Sequence, residues 1–121
     1  MPPRELEAHL LVKAAMQLQD IQDNWEDLQG SLNDALYYNR RLWAVFVDAV
    51  TAEESHLPKP VAQNIANLGF FVFNHTLQVQ LKKQPSMLSP LISINREIAT
   101  GLRSGEENAG TPEAESQPPA A

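Results

Sequence analysis

Apolar residues recur every three or four positions along four segments of this chain, which is the spacing of amphipathic helices. The segments cover roughly residues 4–22, 31–51, 61–79 and 86–102. The apolar stripe of the first segment consists of Leu6, Leu10, Ala14, Leu18, Ile21 and Trp25. No segment alternates apolar and polar residues with the period of two that marks a strand. The pattern therefore predicts an all-α fold, a compact bundle of about four helices joined by short connections.

Residues with known capping preferences mark where these helices begin. Ser31 precedes the second segment and Asp34 follows it by three residues, which predicts a serine cap with a weak capping box. Pro60 fits the first turn of the third helix, because a proline there removes no intrahelical hydrogen bond. Ser89 stands directly before a proline at the start of the fourth segment, so we expect it to cap that helix.

The third segment differs from the others because apolar residues occupy most of its circumference. One face consists of Val61, Ile65, Leu68, Val72 and Val79, and a second of Ala62, Ala66, Gly69, Phe70, Phe73 and Leu77. A helix of this kind is usually central in its bundle or shares a face with a partner. A glycine in mid-helix costs about 1 kcal/mol relative to alanine. We therefore expect a neighbouring helix to approach closely at Gly69.

Charge and composition divide the chain into a folded part and a tail. The chain has 9 basic and 15 acidic residues and a net charge of −6. Four of the acidic residues and no basic residue lie in residues 104–121, so eleven acidic and nine basic residues give residues 1–103 a net charge of −2. The tail also lacks Leu, Ile, Val and aromatic residues, and a segment without apolar surface stays disordered. The prediction is a helical domain over 1–103, with Gly101 or Gly105 ending its last helix, and a disordered acidic tail over 104–121.

The same composition excludes several kinds of site. The acidic balance argues against a duplex nucleic-acid binder, which needs a basic face. The absence of cysteine removes disulfides, thiolate zinc sites and cysteine nucleophiles. No run of about 18 apolar residues is present for insertion into a membrane. The three histidines, His9, His56 and His75, form no metal-binding or catalytic motif. We therefore predict no enzyme and no cofactor, and we expect His75 to be a hydrogen-bonded helix residue.

Two sets of residues are candidates for binding a partner, and the first set lies on the third segment. Phe71 falls outside both apolar faces of that segment, so we expect it to be an exposed contact. Phe70 and Phe73 are expected to pack in the core, with Phe70 kept as a candidate contact beside Phe71. The other candidates of this set are amides of the narrow polar strip, Asn64, Asn67 and Asn74.

The second set of candidates lies on the second segment and consists of Tyr37, Tyr38, Arg40 and Arg41. Tyrosine and arginine are enriched in the hot spots of protein interfaces. The two arginines are adjacent in sequence and are expected to point to different parts of the helix surface. Two interpretations remain open. Either the set binds a partner, or one arginine pairs with a carboxylate of the acidic connection before Gly30 and one tyrosine packs.

Four stretches of the chain resemble the FlaF family, flagellar biosynthesis regulators of alphaproteobacteria. They are PRELEA at residues 3–8, YNRRLW at 38–43, LPKPVAQNIANLG at 57–69 and ISINREIATGL at 92–102. The stretches occur in the family's order and span nearly all of residues 3–103, and the third is long and compositionally unusual. The acidic tail after Arg103 is not part of the family pattern.

The resemblance implies a cytoplasmic protein that is needed for flagellin production. FlaF-like proteins are thought to bind flagellin as a secretion chaperone or adaptor and to oppose FlbT, which restrains flagellin translation. Flagellin, through an amphipathic helical segment that lies in a groove between helices, is thus the expected partner, and FlbT is a further one.

The alternative is a post-transcriptional regulator that acts on FlbT or on flagellin mRNA without a chaperone role. Direct RNA binding, which we do not expect, would require six basic side chains to converge on one face: Arg40, Arg41, Lys82, Lys83, Arg96 and Arg103.

Overall fold

The computed structural model describes residues 3–52 and 55–110, and within them the chain forms helices and no strands. The four long helices are α1 (Pro3–Asp23), α3 (Leu32–Thr51), α4 (Lys59–Lys82) and α5 (Ser89–Gly110). A single helical turn, α2 (Trp25–Leu28), and a 3₁₀ turn (Gln29–Ser31) join α1 to α3, and a second 3₁₀ turn (Pro85–Leu88) precedes α5. The predicted all-α class with four main helices is confirmed.

Helix α1 is the central helix, because it packs extensively against α5 and also against α3. Polar contacts at both ends fix α1 and α5 as an antiparallel pair. Gln22 Nε2 donates to Pro85 O and to Ser89 Oγ, each at 2.9 Å, at one end. At the other end, Arg103 Nε donates to Glu5 Oε1 at 3.1 Å. Helix α4 packs mainly on α3 and touches α5 little, so α4 lies at the edge of the bundle.

A buried amide network joins three of the helices. Trp43 Nε1 in α3 donates to Asn95 Oδ1 in α5 at 2.8 Å. Asn95 Nδ2 in turn donates to Asn39 Oδ1 in α3 at 2.7 Å and to Leu11 O in α1 at 3.2 Å. The side chains of Trp43, Asn39 and Asn95 are fully buried. The amide nitrogen Nδ2 of Asn39 is the one buried side-chain polar atom of the described residues without a hydrogen-bond partner.

The close approach predicted at Gly69 is confirmed. A Cβ atom placed on Gly69 would lie 2.6 Å from Val47 Cγ2 and 3.7 Å from Trp43 Cε3, both on α3. The first distance is well inside van der Waals contact. The absence of a side chain at Gly69 therefore lets α4 approach α3 this closely.

Two predicted serine caps are wrong. Ser31 precedes α3, but its side chain makes no capping hydrogen bond. It belongs to a 3₁₀ turn and has ψ near 0°, whereas a capping residue usually has extended geometry. Ser89 is itself the first residue of α5, and its hydroxyl accepts a hydrogen bond from Gln22. It therefore helps to hold α5 against α1.

The predicted end of the last helix is also wrong, because α5 continues through Gly101 and Gly105 to Gly110. A glycine ends a helix when it adopts left-handed geometry, and Gly101 keeps a negative φ. The first part of the tail that was predicted to be disordered is thus helical up to Gly110. The rest of that predicted tail, residues 111–121, lies outside the described residues.

Replacing Gly69 by alanine should lower the free energy of unfolding by about 1 kcal/mol, because overpacking against Val47 outweighs the gain in helix propensity. Val47 is β-branched and has little freedom to rotate within a helix. Gly101 is a matched control, since no atom lies within 4 Å of a Cβ placed there, and Gly101→Ala should stabilise by up to about 1 kcal/mol. Urea unfolding followed by circular dichroism measures both changes. Equal stabilisation by the two variants would contradict the close approach.

The amide network predicts unequal effects at its two asparagines. Asn95→Leu leaves the buried Trp43 N–H and the Asn39 amide unpaired, and should cost about 2–4 kcal/mol. Asn39→Leu should cost less, because it also removes the nitrogen that already has no partner. The same unfolding experiment compares the two variants. A larger loss for Asn39→Leu would show that Asn95 is not the centre of the network.

Candidate partner-binding surface

Helix α4 exposes a large apolar surface to solvent. Its buried stripe consists of Ile65, Ala66, Gly69, Val72, Thr76 and Val79. Away from that stripe the exposed fractions are 62% for Phe70, 43% for Phe71, 56% for Leu77 and 78% for Leu81.

The sequence predicted that α4 is either central in the bundle or shares a face with a partner. The central position is wrong. Helix α1 is central instead, because its buried alanines, Ala8, Ala14 and Ala15, let two neighbours pack closely against it.

The candidate residues of α4 lie together on the side turned away from α3. Asn64, Asn67, Phe71 and Asn74 follow one another at helical spacings of three or four residues, and all four are exposed. Such spacings bring side chains to one side of a helix. The row formed by Phe70, Leu77 and Leu81 runs beside them. We call this surface the α4 outer face and define it by Asn64, Asn67, Phe70, Phe71, Asn74, Leu77 and Leu81.

The three phenylalanines of α4 differ in their surroundings. Phe71 is exposed, as predicted, and Phe73 packs against the core, as predicted. The expectation of a core position for Phe70 is wrong. The reason is that α4 packs mainly on α3, and Phe70 lies outside the buried stripe that faces α3.

Phe71 is held in place by a histidine on the same helix. Its ring stacks on that of His75, with ring centroids 5.1 Å apart and an interplanar angle of 13°. His75 Nε2 in turn donates to the carbonyl oxygen of Met87, at 2.7 Å. The prediction of His75 as a hydrogen-bonded helix residue is confirmed. The contact gives Phe71 a defined orientation before any partner binds.

The tyrosine and arginine candidates of α3 form a separate cluster around Tyr37. Arg41 Nη1 donates to Tyr37 Oη at 3.0 Å. The guanidinium groups of Arg40 and Arg41 lie 5.4 and 5.8 Å from the centroid of the Tyr37 ring, within the range of cation–π attraction. The two arginines therefore converge on Tyr37, contrary to the expectation that they point apart. No hydrogen bond or ring contact among the described residues joins this cluster to the α4 outer face.

The second interpretation of this cluster was that one tyrosine packs and one arginine pairs with a carboxylate of the acidic connection. Its first part is right and its second part is wrong. Tyr38 is partly buried, with Lys13 Nζ at 5.9 Å from its ring centroid. Neither Arg40 nor Arg41 forms a salt bridge with a described carboxylate, so the predicted pairing with the acidic connection is wrong. The cation–π contacts with the adjacent tyrosine occupy these arginines instead.

A shallow apolar cleft between α1 and α3 is a feature that the sequence reasoning missed. It has a volume of about 240 Å³ and is lined mainly by Leu6, Leu10, Leu42, Val45 and Phe46. Leu6 is 46% and Val45 62% exposed. Periodicity placed Leu6 and Leu10 in the core stripe of α1, since it cannot show which part of a stripe a neighbouring helix covers. The cleft is smaller than typical small-molecule sites, which span about 300–1,000 Å³.

Basic and acidic residues are also unevenly distributed within residues 1–103, and not only between those residues and the acidic tail. Residues 55–96, which include all of α4, contain four basic residues and no acidic one. The remaining five basic and fifteen acidic residues give the rest of the chain a net charge of −10. The α4 outer face thus belongs to a segment with a positive net charge, whereas the rest of the chain has a negative net charge.

The six basic residues that direct RNA binding would require lie on different parts of the bundle. Arg103 pairs with Glu5 near the start of α1. Lys82 and Lys83 lie three and two residues before Pro85, whose carbonyl oxygen accepts from Gln22 near the end of α1. Those two ends of α1 are about 25 Å apart at 1.5 Å per residue. The six side chains therefore do not converge on one face.

Within residues 3–52 and 55–110, the structure contains no group of three or more histidine and carboxylate side chains that could hold a metal ion. No described helix has both the length and the apolar composition needed to cross a bilayer.

A comparison with models of protein families matches residues 1–102 to the family described as "Flagellar protein FlaF". Comparisons with curated proteins and with solved structures gave no match. The family match spans well over half of the chain and includes α1, α3 and α4. The chain therefore belongs to the FlaF family of flagellar proteins.

Proposed function

We propose that this FlaF-family protein is a non-enzymatic regulator of flagellum biogenesis that binds flagellin in the cytoplasm. It acts as a secretion chaperone or adaptor and promotes the synthesis and export of flagellin. The observation that carries the proposal is the α4 outer face, which presents two aromatic and two aliphatic side chains to solvent. A group of exposed large apolar side chains on one surface is characteristic of interaction sites.

The chemistry of the α4 outer face suits an amphipathic helix. The terminal segments of flagellin are amphipathic and stay disordered until the subunit joins a filament. Such segments bind by laying their apolar side on exposed apolar surface of a folded protein, commonly in a groove. On this chain that surface is a strip along one helix, formed by the exposed apolar residues of the α4 outer face. Asn67 lies one helical turn before the two phenylalanines and Asn74 one turn after them. Their carboxamides can bond to polar groups at the edge of the partner's apolar stripe.

Calorimetric titration of the full chain with monomeric flagellin tests the proposal. Binding to the unaltered protein is expected, and Phe70→Asp and Phe71→Asp should each weaken it by about tenfold or more, as for hot-spot residues. The helical circular dichroism should stay unchanged, because both side chains are largely outside the core. Met16→Asp is the matched control, since Met16 is 57% exposed on α1, away from the α4 outer face.

Absence of binding between folded partners would overturn the proposed function. Equal weakening by Phe70→Asp and Met16→Asp would leave a flagellin-binding protein whose contact surface is not the α4 outer face. Loss of helicity in Phe71→Asp would show that the Phe71–His75 stack supports the fold.

A further inference from the structure

Two lysines stand at the end of the α4 outer face. Lys82 is the last residue of α4, and Lys83 follows it with left-handed geometry, at a φ of 52°, while its N–H bonds to Val79 O. Both side chains are exposed. Neither forms a salt bridge with a described carboxylate.

Helical spacing places these lysines next to the apolar residues of the face. Lys82 lies eleven residues after Phe71, which is three turns farther along the same side of the helix. Leu81 precedes Lys82 and ends the row that begins at Phe70. A helix lying on this face would therefore contact apolar side chains over about three turns and then meet two positive charges.

We infer that the α4 outer face selects an amphipathic helix that carries carboxylates at the end of its apolar stripe, where they lie against Lys82 and Lys83. The inference rests on the proposed function, since it specifies the chemistry of the segment that α4 binds. Charge complementarity supports this occupant: residues 55–96 hold no acidic residue, Lys82 and Lys83 are two of their four basic residues, and the rest of the chain has a net charge of −10. An acidic segment is repelled by the rest of the molecule and attracted to this end of α4.

A pair of designed peptides tests the inference without flagellin. The first is a fluorescent amphipathic helix of about four turns with a leucine stripe that ends in two glutamates. The second has glutamine in place of both glutamates. Each is titrated with the full chain, with its Lys82→Gln/Lys83→Asn variant, and with Lys59→Gln as a control at the opposite, exposed end of α4. Asparagine is chosen at position 83 because it tolerates left-handed geometry.

The expected result is a coupling between the peptide's glutamates and the two lysines. The glutamate peptide should bind the unaltered protein about three- to tenfold more tightly than the glutamine peptide, a difference of the size that two exposed ion pairs supply. That difference should shrink below about twofold in the double variant, persist in Lys59→Gln, and fall as the salt concentration rises. Thermal unfolding of each variant confirms that the fold is retained.

Several results would overturn the inference. The two peptides could bind equally, or the preference for glutamate could survive in the double variant. Self-association of the full chain that is lost in the double variant, as measured by sedimentation velocity, would identify a second copy as the occupant instead.

The outcomes also separate this inference from the proposed function. Flagellin binding that is insensitive to Lys82→Gln/Lys83→Asn would overturn the inference alone. Binding of the glutamate peptide with no binding of flagellin would overturn the proposed function alone.

Discussion

The side-chain amide of Asn95 is the contact on which the arrangement of the bundle depends. It accepts from the Trp43 indole and donates to Asn39 and to the Leu11 carbonyl, so a single residue fixes three helices relative to one another. Apolar packing alone tolerates small slides between helices, whereas a buried amide must meet its partners within a few tenths of an ångström. Any shift of α5 along α1 or α3 would leave buried polar groups unpaired. The network thus selects one register, and α4 is then added against α3.

The surface available to a partner follows from which helix is central. The alanines of α1 allow both α5 and α3 to pack on it, so those three helices enclose the core around Leu11, Leu18 and Trp43. Helix α4 packs closely on α3 alone, and Gly69 sets how near α3 lies. Its apolar residues Phe70, Phe71, Leu77 and Leu81 lie outside that contact and stay exposed. They form the α4 outer face as a direct result of this packing order.

Much of the fold could be predicted from the sequence, because helix periodicity and the cost of a mid-helix glycine are local signals. The four helices, the close contact at Gly69 and the exposure of Phe71 follow from them. The central position of α1 could not be predicted, since it depends on how several helices pack at once. In the helix periodicity, Asn39 and Asn95 are only polar interruptions of an apolar stripe. Periodicity does not show which residues of other helices they bond to, so their network could not be predicted. The candidate surface was half predicted: its amides and Phe71 were found, whereas Phe70 was kept as a candidate contact but expected to pack in the core.

The edge position of α4 has a consequence for how the protein can change over evolutionary time. The side chains that hold α4 in place and those of its outer face occupy different sides of one helix, so most replacements on the outer face leave the core contacts intact. Surface substitutions of this kind usually alter stability by less than about 0.5 kcal/mol. A lineage could therefore change this face in small steps, each compatible with a folded protein, as adaptation to the proposed partner would require. Substitutions on α1 are less free, because this helix packs against both α5 and α3 and replacements on either side disturb the core.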